Sequence, residues 1–86
     1  MNRCTITISS RAKKYIESLP DNLKARIANA LYNILAPNPF LGKALKADLK
    51  GRYSYRVGDY RIIYSIVKHE LIIQIIKVSH RREVYR

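Results

Sequence analysis

The sequence predicts an α+β domain: an N-terminal strand, an antiparallel helix hairpin, then a three- to four-stranded antiparallel sheet that carries the helix pair on one face. Three observations lead there. Apolar residues alternate with polar ones at the start of the chain, two stretches of helical apolar spacing follow, and the second half is rich in β-branched residues around one tight-turn signal. Eighty-six residues support one hydrophobic core and not two, so residues 1–86 are read as a single domain.

Cys4, Ile6 and Ile8 alternate with Thr5 and Thr7, the period-two pattern of a half-buried strand. Ser9 or Ser10 can cap a helix in which Ala12, Tyr15, Ile16 and Leu19 recur at helical spacing, and Pro20 stops it. Asp21 or Asn22 can cap the second helix. Its stripe is Leu23, Ile27, Ala30, Leu31, Ile34 and Leu35, and Pro37 and Pro39 end it. After a polar connection, Tyr53, Tyr55 and Val57 alternate, Gly58 and Asp59 supply a two-residue turn, and residues 60–67 make a longer strand. Residues 68–70 turn the chain into a nearly continuous apolar run over 71–78, as expected for a strand covered on both faces.

Charge narrows the function. Seventeen Lys and Arg against six Asp and Glu give +11, a field that attracts phosphate polymers, anionic membrane or acidic protein. The start of the chain alternates instead of running apolar, which predicts neither a signal peptide nor a membrane span. Cys4 stands alone, so no intrachain disulfide forms, in keeping with a reducing cytoplasm. No metal or cofactor is expected: His69 and His80 are the two histidines, Asp48, Asp59 and Glu70 lack ligand-like spacing, and there is neither a glycine-rich phosphate loop nor a serine-nucleophile motif.

Two clusters carry chemistry. With Gly58 and Asp59 as the loop, Val57 faces Tyr60 and Arg56 faces Arg61, so two cations oppose each other unless an anion such as phosphate lies between them. The bland alternative gives each arginine Asp59, Asp48 or a carbonyl. The second cluster runs from Ser79 through His80, Arg81, Arg82, Glu83, Val84 and Tyr85 to Arg86, at the exit of the last long strand. Antiparallel pairing brings this end of the chain beside Arg56 and Arg61, forming one concave basic site. RNA can be cut there if a group takes the 2′-hydroxyl proton, cations hold the charged phosphorane and a donor serves the leaving 5′-oxygen. His80 could exchange a proton, Arg61 and Arg81 could hold the phosphate with Lys50, Arg52, Arg56 and Arg82 as further phosphate contacts, and Tyr85 could stack on a base.

The segment Leu49-Lys50-Gly51-Arg52-Tyr53-Ser54-Tyr55-Arg56-Val57-Gly58-Asp59-Tyr60-Arg61-Ile62-Ile63-Tyr64, followed by Val78-Ser79-His80-Arg81-Arg82-Glu83-Val84-Tyr85, resembles the RelE branch of the RelE/ParE toxin superfamily. The order of elements and the length match too, so the resemblance covers essentially the whole chain. It implies a metal-independent ribonuclease, an mRNA interferase, that enters the decoding site of a translating ribosome and leaves a 2′,3′-cyclic phosphate and a 5′-hydroxyl. It also implies a cognate RelB-like antitoxin. In this resemblance Arg61 matches the arginine that stabilises the transition-state phosphate, Arg81 the one assigned to phosphate and leaving group, and Tyr85 the tyrosine that orients or stacks on RNA.

One departure bears on mechanism. Well-studied members carry a lysine pair before the hairpin turn, one lysine acting as base, where this sequence has Arg52 and Ser54. Serine cannot replace that base, which leaves His80, Lys50 or an arginine-assisted mechanism, and the C-terminal histidine that some relatives of the superfamily use favours His80 among them. The last residue, Arg86, leaves no room for the C-terminal helix of some relatives and implies a more open cleft. Two other readings stand beside the nuclease: a ParE-like toxin that binds DNA gyrase and cuts nothing, and a non-catalytic ribosome-binding domain.

Overall fold

The strands are β1 (Thr5–Ile8), β2 (Lys43–Ala44), β3 (Arg52–Val57), β4 (Tyr60–Val67) and β5 (Ile72–His80), and the helices are α1 (Ser10–Glu17), α2 (Asp21–Asn29) and α3 (Arg81–Val84). The computed structural model of the chain describes residues 3–45 and 51–84. The strands form one sheet in the order β1-β5-β4-β3-β2. Four of them are antiparallel neighbours, and β1 adds a fifth by pairing parallel to β5, with Thr5 beside Ile72 and Ile8 beside Ile75. The sheet is therefore one strand larger than the antiparallel part alone and mixed in direction.

Local chemistry explains the helix ends. Ser9 is the cap of α1: its Oγ accepts from the Ala12 N–H at 3.1 Å and its hydroxyl donates to the Ile76 carbonyl at 2.8 Å, tying the helix start to β5. α2 starts after Pro20 without a side-chain cap, and Asp21 sits in its first turn, where a carboxylate complements the helix dipole. From Ala30 to Leu35 the helix continues in π form, and the Ala36 N–H donates to the Leu31 carbonyl at 2.9 Å. Ala12, Ile27, Ala30, Leu31 and Leu35 from the helices meet Ile62, Tyr64, Ile73, Ile75 and Val78 from the sheet in one core.

The described helices cover one sheet face. Gln74 and Lys77 on β5 are exposed, so β5 is not the doubly buried strand its apolar run suggests. The reason is a bulge: Ile63 pairs with Lys77 but Tyr64 pairs with Ile75, which leaves Ile76 as an extra residue. The extra residue reverses the alternation. Ile73 and Ile75 face the helices before it and Val78 after it, while Lys77 and Ser79 are turned to the bare face.

Candidate functional site

The β3–β4 hairpin builds the site. Val57 pairs with Tyr60 across Gly58 and Asp59, and φ is +59° at Gly58 alone of the two, the type II′ pattern that follows the strands' right-handed twist. Arg56 then stands directly opposite Arg61, and Ser79 of β5 lies opposite Arg61 on the other side. These three share the face that the helices leave bare. Among the described residues neither Arg56 nor Arg61 is ion-paired to a carboxylate, so none of these residues offsets their mutual repulsion.

α3 brings two more cations. The Arg81 N–H donates to the Asp59 carbonyl at 2.7 Å, and Asp59 Oδ1 lies 3.9 Å from Arg81 Nε. The hairpin turn thus pins the start of α3 through backbone and charge together. With Nε facing the aspartate, the outer edge of the guanidinium is left for a ligand. Arg56, Asp59, Tyr60, Arg61, Arg81 and Arg82 line a cavity of about 310 Å³. Four arginines around one carboxylate suit a phosphate, which takes planar, bidentate contacts.

Two other expected site residues, His80 and Arg52, lie elsewhere. His80 pairs with Tyr60 and so sits on the helix-covered side, its ring edge-on to the Tyr60 ring at 5.2 Å. His80 Nδ1 accepts from the Arg82 N–H at 3.2 Å, which makes it the cap of α3, and the side chain is not part of the cavity wall. Arg52 shares the face of Arg56 but lies four residues back along β3, opposite Ser65, about 13 Å away at strand spacing. Lys50 and Tyr85 fall outside the described residues. Asp59 is the residue that sequence reasoning undervalued: it was visible as a turn residue and as a possible partner for an arginine, but not as the anchor of α3. Arg56 also borders a second cavity of about 480 Å³ between α2 and β3, where Ala25, Ile34, Tyr55 and Val57 give an apolar floor beside Arg26.

Residues 6–85 match the family described as the ParE toxin of type II toxin-antitoxin system, parDE. The chain is 34% identical over 82 residues to Toxin RelE of Mycobacterium tuberculosis, covering 94% of this chain and 84% of that protein. The chain belongs to the RelE branch of the RelE/ParE superfamily. It is a toxin of a type II toxin–antitoxin system. Toxin RelG of the same organism is 30% identical over 83 residues, covering 95% of each chain. The crystal structure of the toxin–antitoxin complex RelBE2 from Mycobacterium tuberculosis contains a chain similar to this RelE-branch toxin, with a TM-score of 0.86, 29% identity, and 92% of this chain and 99% of that one covered. Among the described residues of the toxin, no helix is long and apolar enough to cross a membrane, and no group of three or more His, Cys, Asp or Glu could hold a metal ion.

Proposed function

We propose that this toxin is a ribosome-dependent endoribonuclease, an mRNA interferase, whose arginine cavity holds the scissile phosphate of messenger RNA. The observation that carries the reading is the opposed Arg56–Arg61 couple, without a carboxylate partner among the described residues and joined by Arg81 and Arg82 in one cavity. In the reaction the 2′-oxygen forms a bond to phosphorus, the bond from phosphorus to the 5′-oxygen breaks, and the products are a 2′,3′-cyclic phosphate and a 5′-hydroxyl. Arg61 and Arg81 stabilise the charge that gathers on the phosphorane. The 2′-hydroxyl proton goes to a base, for which Lys50 or an arginine-assisted path is the candidate once His80 is engaged as the cap of α3, and the leaving oxygen takes up a proton. Tyr85 stacks on the RNA. His80 acts through α3, holding Arg81 and Arg82 in place.

The site is stronger in charge than in proton-transfer groups, which favours a reaction in which the ribosome supplies the geometry. Holding the 2′-oxygen in line with its phosphate is a positioning effect that can be worth several kcal/mol. The partner that silences the toxin is a RelB-like antitoxin with an acidic, amphipathic segment over Arg56, Arg61 and Arg81. The matched family carries the ParE name, so a toxin that acts on DNA gyrase is the competing reading. One purified messenger, free and within a programmed ribosome, is incubated with equal toxin. Cleavage at codon positions on the ribosome alone is expected, and equally rapid cutting of the free RNA overturns ribosome dependence. Absence of RNA cleavage together with gyrase-dependent DNA breaks overturns the nuclease reading.

A further inference from the structure

A second basic concavity lies beside the first. Arg11, Lys14 and Tyr15 of α1 and Lys77 and Val78 of β5 line a cavity of about 330 Å³. It exists because β1 stops pairing with β5 at Ile75, which leaves the upper edge of β5 open to α1. The bulge at Ile76 and the Ser9 hydroxyl on its carbonyl then set how α1 crosses that edge. Arg11, Lys14 and Lys77 are all exposed, and among the described residues none forms an ion pair with a carboxylate. Three cations thus converge on one hollow with no carboxylate of the described residues paired to them, over a floor of buried Val78.

The two cavities adjoin. Tyr15 belongs to the wall of this one and Tyr60 to the wall of the arginine cavity, and their rings touch edge-on at 6.4 Å. Along β5, Lys77 lies about 13 Å from Arg81, a distance that a few nucleotides of single strand can cross. We infer that Arg11, Lys14 and Lys77 form a second site for the sugar-phosphate backbone of RNA, gripping a part of the strand that is not cut. The hollow is polar at its rim and apolar at its base, as backbone phosphates and sugars require, and an exposed trio of like charges gains most from a polyanion. The inference deepens the nuclease reading, since it makes the bound RNA run from the arginine cavity past Tyr60 onto α1.

The test measures binding, so it does not depend on cleavage. A single-stranded RNA long enough to cross both cavities, 2′-O-methylated throughout, is titrated by fluorescence anisotropy at several salt concentrations. The triple variant Arg11→Gln, Lys14→Gln, Lys77→Gln is compared with Lys13→Gln, Lys43→Gln, Lys68→Gln, which removes equal charge from other surfaces. Each backbone contact contributes about 0.7 to the slope of log K against log salt, so the site variant loses a slope of about 2 and the control markedly less. Lys14→Gln alone loses about 0.7 and serves if the triple variant is poorly folded. Equal slopes for the two triple variants overturn the inference. So does a site variant that binds RNA normally and loses affinity only for an acidic antitoxin segment, because the hollow is then a protein contact. A toxin that binds RNA through these residues yet cuts none on the ribosome leaves this inference standing and retires the nuclease reading.

Discussion

Replacing Arg61 with alanine should separate activity from stability. In the hairpin register Arg61 and Arg56 are directly opposed, which puts their Cβ atoms about 5 Å apart. Two unit charges held as close as their Cβ atoms would repel by about 0.8 kcal/mol in the dielectric of bulk water, and guanidinium groups that splay apart repel less, within the range of roughly 0.2–1 kcal/mol found for cross-strand pairs. Arg61→Ala removes this repulsion and a half-buried side chain's packing together, so the free toxin should be no less stable than the parent to within about 1 kcal/mol. Cleavage should respond quite differently. Loss of one donor to a developing phosphorane costs about a hundredfold to a thousandfold, or roughly 3–4 kcal/mol. Arg61→Lys keeps the charge without the planar fork and should fall between. The assay is single-turnover cleavage of messenger on programmed ribosomes beside urea unfolding of the free toxin. A phosphate titration adds a check, since phosphate should raise the melting temperature of the parent more than that of Arg61→Ala. Undiminished cleavage in a folded Arg61→Ala toxin refutes the arginine-cavity reasoning, and unfolding of that variant shows that Arg61 serves the fold.

Two further substitutions test the frame that holds the site. The Tyr64 hydroxyl donates to the Pro39 carbonyl at 2.7 Å and accepts from the Gly42 N–H at 3.1 Å, so Tyr64→Phe should cost about 1–3 kcal/mol at neutral pH. Burial pushes the Tyr64 hydroxyl from 10 up to about 12, against the lowering pull of the Gly42 hydrogen bond and with smaller raising effects of Tyr53 and Tyr55. A raised folded-state value means that this stabilisation is complete below about pH 10 and lost as pH climbs through about 12. Urea unfolding should therefore show a steeper alkaline decline in the parent than in Tyr64→Phe, and parallel curves would contradict the assignment. Gly58→Ala should lower stability by about 1–2 kcal/mol in thermal unfolding, because φ is +59° and a Cβ there would stand 3.0 Å from the Arg26 guanidinium.

Elements set by local pattern were legible in the sequence, and those set by tertiary register were not. The residues that form β4 and the Gly58–Asp59 turn could be read directly, because alternation and turn chemistry act over a few residues and fix the register that opposes Arg56 and Arg61. Ser9 as cap and Pro20 as stop were legible for the same reason. The parallel seat of β1 beside β5 was hidden, since it joins residues some seventy positions apart, such as Thr5 and Ile72, and no local signal marks it. The bulge at Ile76 was hidden as well. Carried without interruption, the alternation through Ile73 and Ile75 places His80 on the bare face with Arg61, and the extra residue moves it to the other. The same residue turns Lys77 to the bare face, and Arg11, Lys14 and Lys77, scattered through the sequence, gave no warning that they line one hollow.

His80 offers the clearest way to tell a positioning residue from a base. A general base that leaves the site typically takes a factor of about 10²–10⁴ in rate with it. The geometry assigns His80 other work: Nδ1 accepts from the Arg82 N–H, which puts the ring proton on Nε2, and the ring rests against Tyr60 on the side away from Arg61. Loss of a helix cap costs about 0.5–2 kcal/mol, here borne by a helix whose first residue is Arg81. His80→Ala should therefore slow single-turnover cleavage by no more than about thirtyfold, through a looser Arg81, and weaken phosphate binding in proportion. His80→Asn should restore most of both, because asparagine caps helices well and is no base at any useful pH. A loss of a hundredfold or more that His80→Asn fails to rescue, with phosphate affinity intact, overturns this assignment, because His80 would then be moving the proton itself.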